Sequence, residues 1–229
     1  MWLGSGPVPP GDQQLIQSPS PNFGPRRKGA RPDMIVLHYT AMESAEAACA
    51  RLCDPDCEVS AHYLIGRDGT VSQLVEEDMR AWHAGAGQWR EITDVNSRSI
   101  GIELDNRGAE PFSAPLMDAL EPLLHDIMAR WDIPAERVIG HSDMAPGRKI
   151  DPGARFDWAR LVRSGLAVGS VARGETVDDV AFAADLDCIG YPPSDAKARL
   201  EAFRLRHNPG AQGPLNGTDC ARAAALARD

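Results

Sequence analysis

Apolar residues along this chain of 229 residues fall into two kinds of run. Short, β-branched runs end at Met34-Ile35-Val36-Leu37-His38-Tyr39, at Ile100-Gly101-Ile102-Glu103-Leu104 and at Arg137-Val138-Ile139-Gly140-His141, and these read as buried strands. Tyr63-Leu64-Ile65 and Val71-Ser72-Gln73-Leu74-Val75 flank an Asp68-Gly69 step, which predicts a hairpin. Longer runs carry apolar residues at spacings of three and four. The clearest spans 114–131, where Leu116, Met117, Leu120, Leu123, Leu124, Ile127, Met128 and Trp131 share one helical face. Ser113 is placed to cap it, and Pro122 predicts a kink or a shortened regular part. Further helices are expected at about 44–53 and at 156–166, and residues 81–97 read as a loop.

Strands alternating with helices, plus one hairpin, imply an α/β domain with a central mixed β-sheet flanked by helices. Residues 1–32 are rich in Pro, Gly and Ser without any period and read as an irregular N-terminal arm. The α/β domain is expected over 33–166, with a small polar linker at 167–174. Residues 175–229 show three short helical patterns, beginning near Thr176, Ser194 and Thr218, with Thr176 and Asp179 in capping-box positions. They form a small C-terminal three-helix module, near the lower size limit for a self-standing core and expected to dock on the larger domain.

Composition is ordinary for a globular protein, 43% hydrophobic and 25% charged, and the formal net charge of −9 argues against a nucleic-acid partner. The local basic cluster of Arg26, Arg27, Lys28 and Arg31 reads as a solvated loop. No stretch approaches the roughly 20 apolar residues that span a bilayer. The first residues lack the basic and apolar regions of a secretory signal, and no Cys near residue 20 could carry a lipid, so the expected location is the cytoplasm, with the periplasm or cell envelope as the alternative if a leader was removed. The odd count of five cysteines fits a reducing compartment. Cys49, Cys53 and Cys57 recur every fourth residue near His62, but among small apolar neighbours they read as packing residues. Cys188 and Cys220 would pair only in an oxidising environment.

Candidate chemistry gathers at the strand ends. His38 and His141 each close an apolar run, and Asp151 follows in the next loop. Two nitrogens and one oxygen make the ligand set of a catalytic zinc site whose fourth position takes water, so one Zn2+ per chain is expected. Lys149 lies two residues before Asp151, and in an extended segment both project to the same side. Its ammonium could then stabilise an oxyanion, the alternative being a solvated lysine. Glu103 sits inside an apolar strand, where a carboxylate is costly unless partnered. Near the metal it would accept and return a proton. Strand alternation does not decide whether it faces the site or solvent, because Gly101 shares its face.

Six ordered motifs then carry a resemblance: Val36-Leu37-His38-Tyr39-Thr40, Val59-Ser60-Ala61-His62-Tyr63-Leu64-Ile65, Trp82-His83-Ala84-Gly85, Ser99-Ile100-Gly101-Ile102-Glu103-Leu104, Val138-Ile139-Gly140-His141-Ser142-Asp143 and Lys149-Ile150-Asp151-Pro152-Gly153. Together, over about 33–165, they resemble the type 2 N-acetylmuramoyl-L-alanine amidases, zinc enzymes with AmpD and AmiD branches. The helical tail, with Ile189-Gly190-Tyr191-Pro192 and Leu200-Glu201-Ala202-Phe203-Arg204, more loosely resembles the peptidoglycan-binding-like module of the AmiD branch. The resemblance implies zinc ligands His38, His141 and Asp151, Glu103 as general base and acid, and Lys149 as oxyanion stabiliser. It implies a groove for sugar or stem peptide lined by Trp82, His83 and Ala84, with a secondary role for Tyr63. Tyr39 and Asn106 complete the expected substrate-binding set, and His62 is expected to be structural.

The implied reaction is hydrolysis of the amide between the lactyl group of N-acetylmuramic acid, in its 1,6-anhydro form, and the L-alanine of the stem peptide. A muropeptide or peptidoglycan fragment is the expected substrate, with no obligate protein partner. The rival is a non-catalytic muropeptide-recognition protein. A zinc peptidase is disfavoured because no His-Glu-x-x-His occurs.

Overall fold

The computed structural model describes residues 15–228. In chain order it contains β1 (Leu15–Gln17), β2 (Phe23–Pro25), β3 (Met34–Tyr39), α1 (Ala45–Leu52), β4 (Tyr63–Ile65), β5 (Val71–Gln73), β6 (Met79–Ala81), α2 (Val95–Arg98), β7 (Ser99–Leu104), α3 (Ala114–Trp131), β8 (Val138–Gly140), α4 (His141–Met144), α5 (Trp158–Arg163), α6 (Asp179–Ile189), α7 (Ala196–His207) and α8 (Gly217–Leu226). Six strands form a mixed sheet in the order β1-β5-β4-β7-β3-β8. Only the β4–β5 pair is antiparallel, and it is the hairpin that Asp68-Gly69 signals. The mixed α/β architecture expected from the sequence is present.

Strand period decides what each face holds. On β3, Ile35 and Leu37 point one way, in register with Ile100 and Ile102 of β7. They pack under α3 with Leu116, Leu120, Leu124 and Ile127, all without solvent exposure, each contributing about 1.5–3 kcal/mol relative to an exposed position. Ser113 caps α3 through Oγ, which accepts from the N–H of Leu116. The helix runs unbroken through Pro122. The lost N–H would have served the carbonyl of Asp118, an exposed residue.

The other face begins with Met34 and Val36 and continues to His38. Met34, Val36 and Ile139 pack with Trp89 and Met144 and, in the same cluster, with Phe182, Leu186, Tyr191, Phe203, Ala223 and Leu226 of the C-terminal helices. Those helices therefore share a core with the sheet rather than holding one of their own across a linker. Their N-caps also differ from expectation. Asp178, not Thr176, caps α6 by accepting from the N–H groups of Val180 and Ala181, and Asp195 and Asn216 cap α7 and α8. Carboxylate and amide side chains reach the N2 and N3 donors in each case.

Two further expectations need correction. Part of the supposed irregular arm is structured: β1 pairs in parallel with β5 at the sheet edge, and β2 pairs antiparallel with β6. Residues 1–14 of that arm lie outside the described residues. Arg26 is not a solvated loop residue either. It is 9% exposed, and its guanidinium donates to the carbonyls of Glu77, Asn96, Ser97 and Ser99, while Arg27 and Lys28 remain exposed. Composition marks a basic cluster but not which guanidinium meets orphan carbonyls. All five cysteines are free thiols. Among the described residues no helix is long and apolar enough to cross a membrane.

Candidate metal centre and active-site cleft

β3 delivers His38 near its C-terminal end, and β8, its parallel neighbour, stops at Gly140 so that His141 opens α4. The following loop returns Asp151 to the same point, held there by the Ser142 N–H donating to the Asp151 carbonyl at 2.9 Å. His38 Nδ1, His141 Nδ1 and Asp151 Oδ2 then form a triangle with 2.9 Å on every side. They are the only group of three or more such side chains, among the described residues, arranged to hold a metal ion.

The outer nitrogens of the two imidazoles decide which atoms face inward. His141 Nε2 lies 2.9 Å from the carbonyl of Ala84 and must donate to it, which leaves Nδ1 bare. His38 is fixed through a relay. Ser99 Oγ gives its proton to the Val95 carbonyl at 2.6 Å, so it accepts from His83 Nε2 at 3.1 Å. His83 Nδ1 is then an acceptor, 3.0 Å from His38 Nε2, which donates and leaves Nδ1 of His38 bare.

Charge agrees with this arrangement. Burial, reinforced by His141, pushes His38 down to about 4 and so keeps it neutral at neutral pH. Burial alone would raise Asp151, but the imidazoles of His141 and His38 outweigh it and hold the carboxyl well below the ordinary range. Two lone pairs and one anion thus converge on a common point from which solvent is nearly excluded. That donor set fits a divalent cation with nitrogen and oxygen ligands.

The triangle opens into a cleft of about 540 Å³ whose walls include Tyr39, Trp82, Glu103 and Lys149. Glu103 pairs in register with His38 across β3 and β7, so both side chains emerge on the same face. Its Oε2 is buried without a hydrogen-bond partner. Burial, followed by the negative Asp151, pushes its carboxyl up to about 8, with Lys149 pulling the other way. The cleft therefore brings together His38, His141, Asp151, Glu103, Lys149, Tyr39, Trp82 and His83.

Three expected substrate contacts, Tyr63, Ala84 and Asn106, are placed differently. Tyr63 is in register with Ile102, one residue from the Leu64–Glu103 pair, so it points to the α3 side of the sheet. There its hydroxyl donates to Glu77 Oε1 at 2.7 Å, beyond reach of the cleft. Ala84 is fully buried, and its carbonyl serves His141 and Arg148. Asn106 is also buried, and its amide ties the 106–111 turn to the carbonyls of Glu110 and Pro111. His83 borders the cleft, but both its nitrogens are engaged by His38 and Ser99. His62 is structural, as expected: Nδ1 accepts the Gly101 N–H at 2.9 Å and Nε2 faces the Met79 carbonyl at 3.1 Å. Ser99 and Arg148 escaped the sequence reading. No spacing marks either one, since each acts through a carbonyl or ring that only the fold brings close.

Similarity to known proteins follows the same outline. AmiD of Escherichia coli is 37% identical over 176 residues, 68% of this chain and 63% of that relative, so the match spans less than two thirds of its length. AmpD of Enterobacter cloacae is 35% identical over 160 residues, 62% of this chain and 86% of that protein. The solved structure of E. coli AmiD, a complex with the substrate anhydro-N-acetylmuramic acid-L-Ala-D-gamma-Glu-L-Lys, superposes with a TM-score of 0.77 at 32% identity, covering 88% of this chain and 91% of that one. The family model described as N-acetylmuramoyl-L-alanine amidase matches residues 28–154, more than half of the sequence and every residue of the triangle and cleft pair. The chain belongs to the N-acetylmuramoyl-L-alanine amidase family.

Proposed function

We propose that this protein hydrolyses the amide between the lactyl carbonyl of an N-acetylmuramoyl group, in its 1,6-anhydro form, and the L-alanine of the stem peptide. His38 Nδ1, His141 Nδ1 and Asp151 would hold one zinc ion. The observation that carries the reading is the triangle of bare donors 2.9 Å apart, opening into a cleft that also holds an unpartnered carboxyl and an ammonium. When bound, zinc supplies Lewis acidity toward a water nucleophile and the scissile carbonyl.

The chain's own residues do the rest. Glu103 Oε2, with no competing partner, takes a proton from the attacking water and returns it to the departing amine of L-alanine. Its raised carboxyl suits the donating half of that cycle, and the positive charge of Lys149 favours the ionised half. Lys149 Nζ stabilises the oxyanion of the tetrahedral intermediate. Tyr39 and Trp82 form cleft walls against which sugar and stem peptide pack. His83 holds His38 in the tautomer that presents Nδ1, and so acts on the substrate only indirectly.

The substrate class is supported by AmiD of E. coli, whose structure contains an anhydro-muramoyl tripeptide. The test offers soluble anhydro-muropeptides and intact sacculi, side by side, to the zinc-loaded protein, with released stem peptide read by mass spectrometry. Free stem peptide that disappears on chelation is the expected result, and its absence would overturn the proposal. Preference for the soluble pool fits a cytoplasmic recycling enzyme; preference for sacculi would move the protein to the cell envelope.

A further inference from the structure

Asp143 is fully buried two residues after His141, and its carboxylate is shared between the two halves of the chain. Oδ2 accepts the N–H of Gly140, the residue that positions His141 at the start of α4, at 2.8 Å. The same oxygen accepts from Arg206 Nη1 at 3.0 Å, and Oδ1 accepts from the Tyr191 hydroxyl at 2.7 Å. Arg206 belongs to α7, and Tyr191 follows α6. The Arg206 guanidinium also lies over the Trp158 ring, 4.4 Å from its centroid, and donates to the Val168 carbonyl. Trp158 in turn stands against Gly140, where an added Cβ would meet its ring at 3.4 Å.

A buried carboxylate is tolerated only when its oxygens are matched, and here the C-terminal helices supply two of its three donors. Without them Asp143 would turn toward whatever solvent it could reach and release the Gly140 N–H. His141 is the next residue, so its ring would lose the anchor that aims Nδ1 at the triangle. The C-terminal helices are thereby joined to the metal centre by a continuous set of hydrogen bonds, Tyr191 and Arg206 to Asp143, Asp143 to Gly140.

We propose that the C-terminal helices are part of the metal centre, with Tyr191 and Arg206 acting as positioning residues that set cation affinity through Asp143 and His141. This rests on the reading of His141 as a metal ligand. The full-length chain with Tyr191→Phe, which keeps the ring and deletes one hydroxyl, should bind zinc more weakly by about tenfold in competition with a chromogenic chelator. The d–d absorption of the cobalt-substituted protein should shift as well, a signature that loss of stability alone would not produce. Arg206→Met should weaken binding further, and Arg206→Lys should restore part of the loss by returning the charge without the fork. Should Arg206→Met fail to fold, Tyr191→Phe decides. Wild-type zinc affinity and an unchanged cobalt spectrum in folded Tyr191→Phe would overturn the inference. His141→Ala separates the two readings: if it binds zinc as the wild type does, the ligand assignment has failed, not the brace.

Discussion

His62 lies under the sheet with Nδ1 accepting the Gly101 N–H, an acceptor it would lose on protonation. Burial, helped by the nearby Arg26 charge, pushes it down from 6.5 to about 3. Because the folded value is the lower one, its contribution to stability is complete above about pH 6.5 and is lost as pH falls toward about 3, at up to about 1.4 kcal/mol per pH unit. In chelated protein, His62→Gln should therefore be less stable near neutrality yet show a shallower fall of Tm with acid; an equally steep fall would remove this assignment. Glu103 gives the second expectation at this scale. Gln in its place neither takes nor gives a proton, so stem-peptide release should drop by roughly 10²–10⁴ while metal analysis still finds one zinc per chain. Turnover at the wild-type rate would strip Glu103 of its role. His38 and His141 were legible from sequence because strand ends are where buried chains release polar side chains, and Asp151 because it follows in the next loop. Tyr63 was not, since the phase of a three-residue strand against its neighbour appears only once Tyr63 is paired with Ile102.

At the scale of elements, β7 shows how one glycine serves the metal site. Gly101 lies in register with Val36 and beneath the ring of His83, where an added Cβ would come within 2.4 Å. The ring can rest between His38 and Ser99 only because that space is open. Gly101→Ala should push His83 off its two partners, costing about 1–3 kcal/mol of stability and weakening zinc binding. Chelator competition alongside thermal melts would check it, and intact zinc affinity would show that the relay through His83 is dispensable. Elements with a strong period were readable in advance: β3, β7, α3 with its Ser113 cap, and the β4–β5 hairpin. The ones that were not readable are short and earn their pairing from tertiary contacts. β1 and β2 have three residues each, too few for a period to show, and they are held by β5 and β6 rather than by propensity.

Over the whole molecule, the boundary expected at 167–174 marks a change of secondary structure and not of core. Phe182, Leu186 and Phe203 cover the same apolar surface as Met34, Val36 and Ile139. A chain ending at residue 174 should consequently expose that surface, bind a hydrophobic dye and self-associate on size exclusion. If it ran as a stable monomer with the full-length Tm, the shared core would contribute nothing. Helical periodicity revealed the three C-terminal helices, and their small size implied docking on the larger domain, but an amphipathic face does not say which residues it covers. The proposed cation site also has a temporal side. His38 and His141 are 103 positions apart in the chain, whereas His141 and Asp151 are separated by only 10. Their meeting requires the parallel β3–β8 pairing, a long-range closure that local contacts cannot replace. Before that pairing forms, this site offers only its nearby His141–Asp151 pair, so filling it is a late event that certifies a finished sheet.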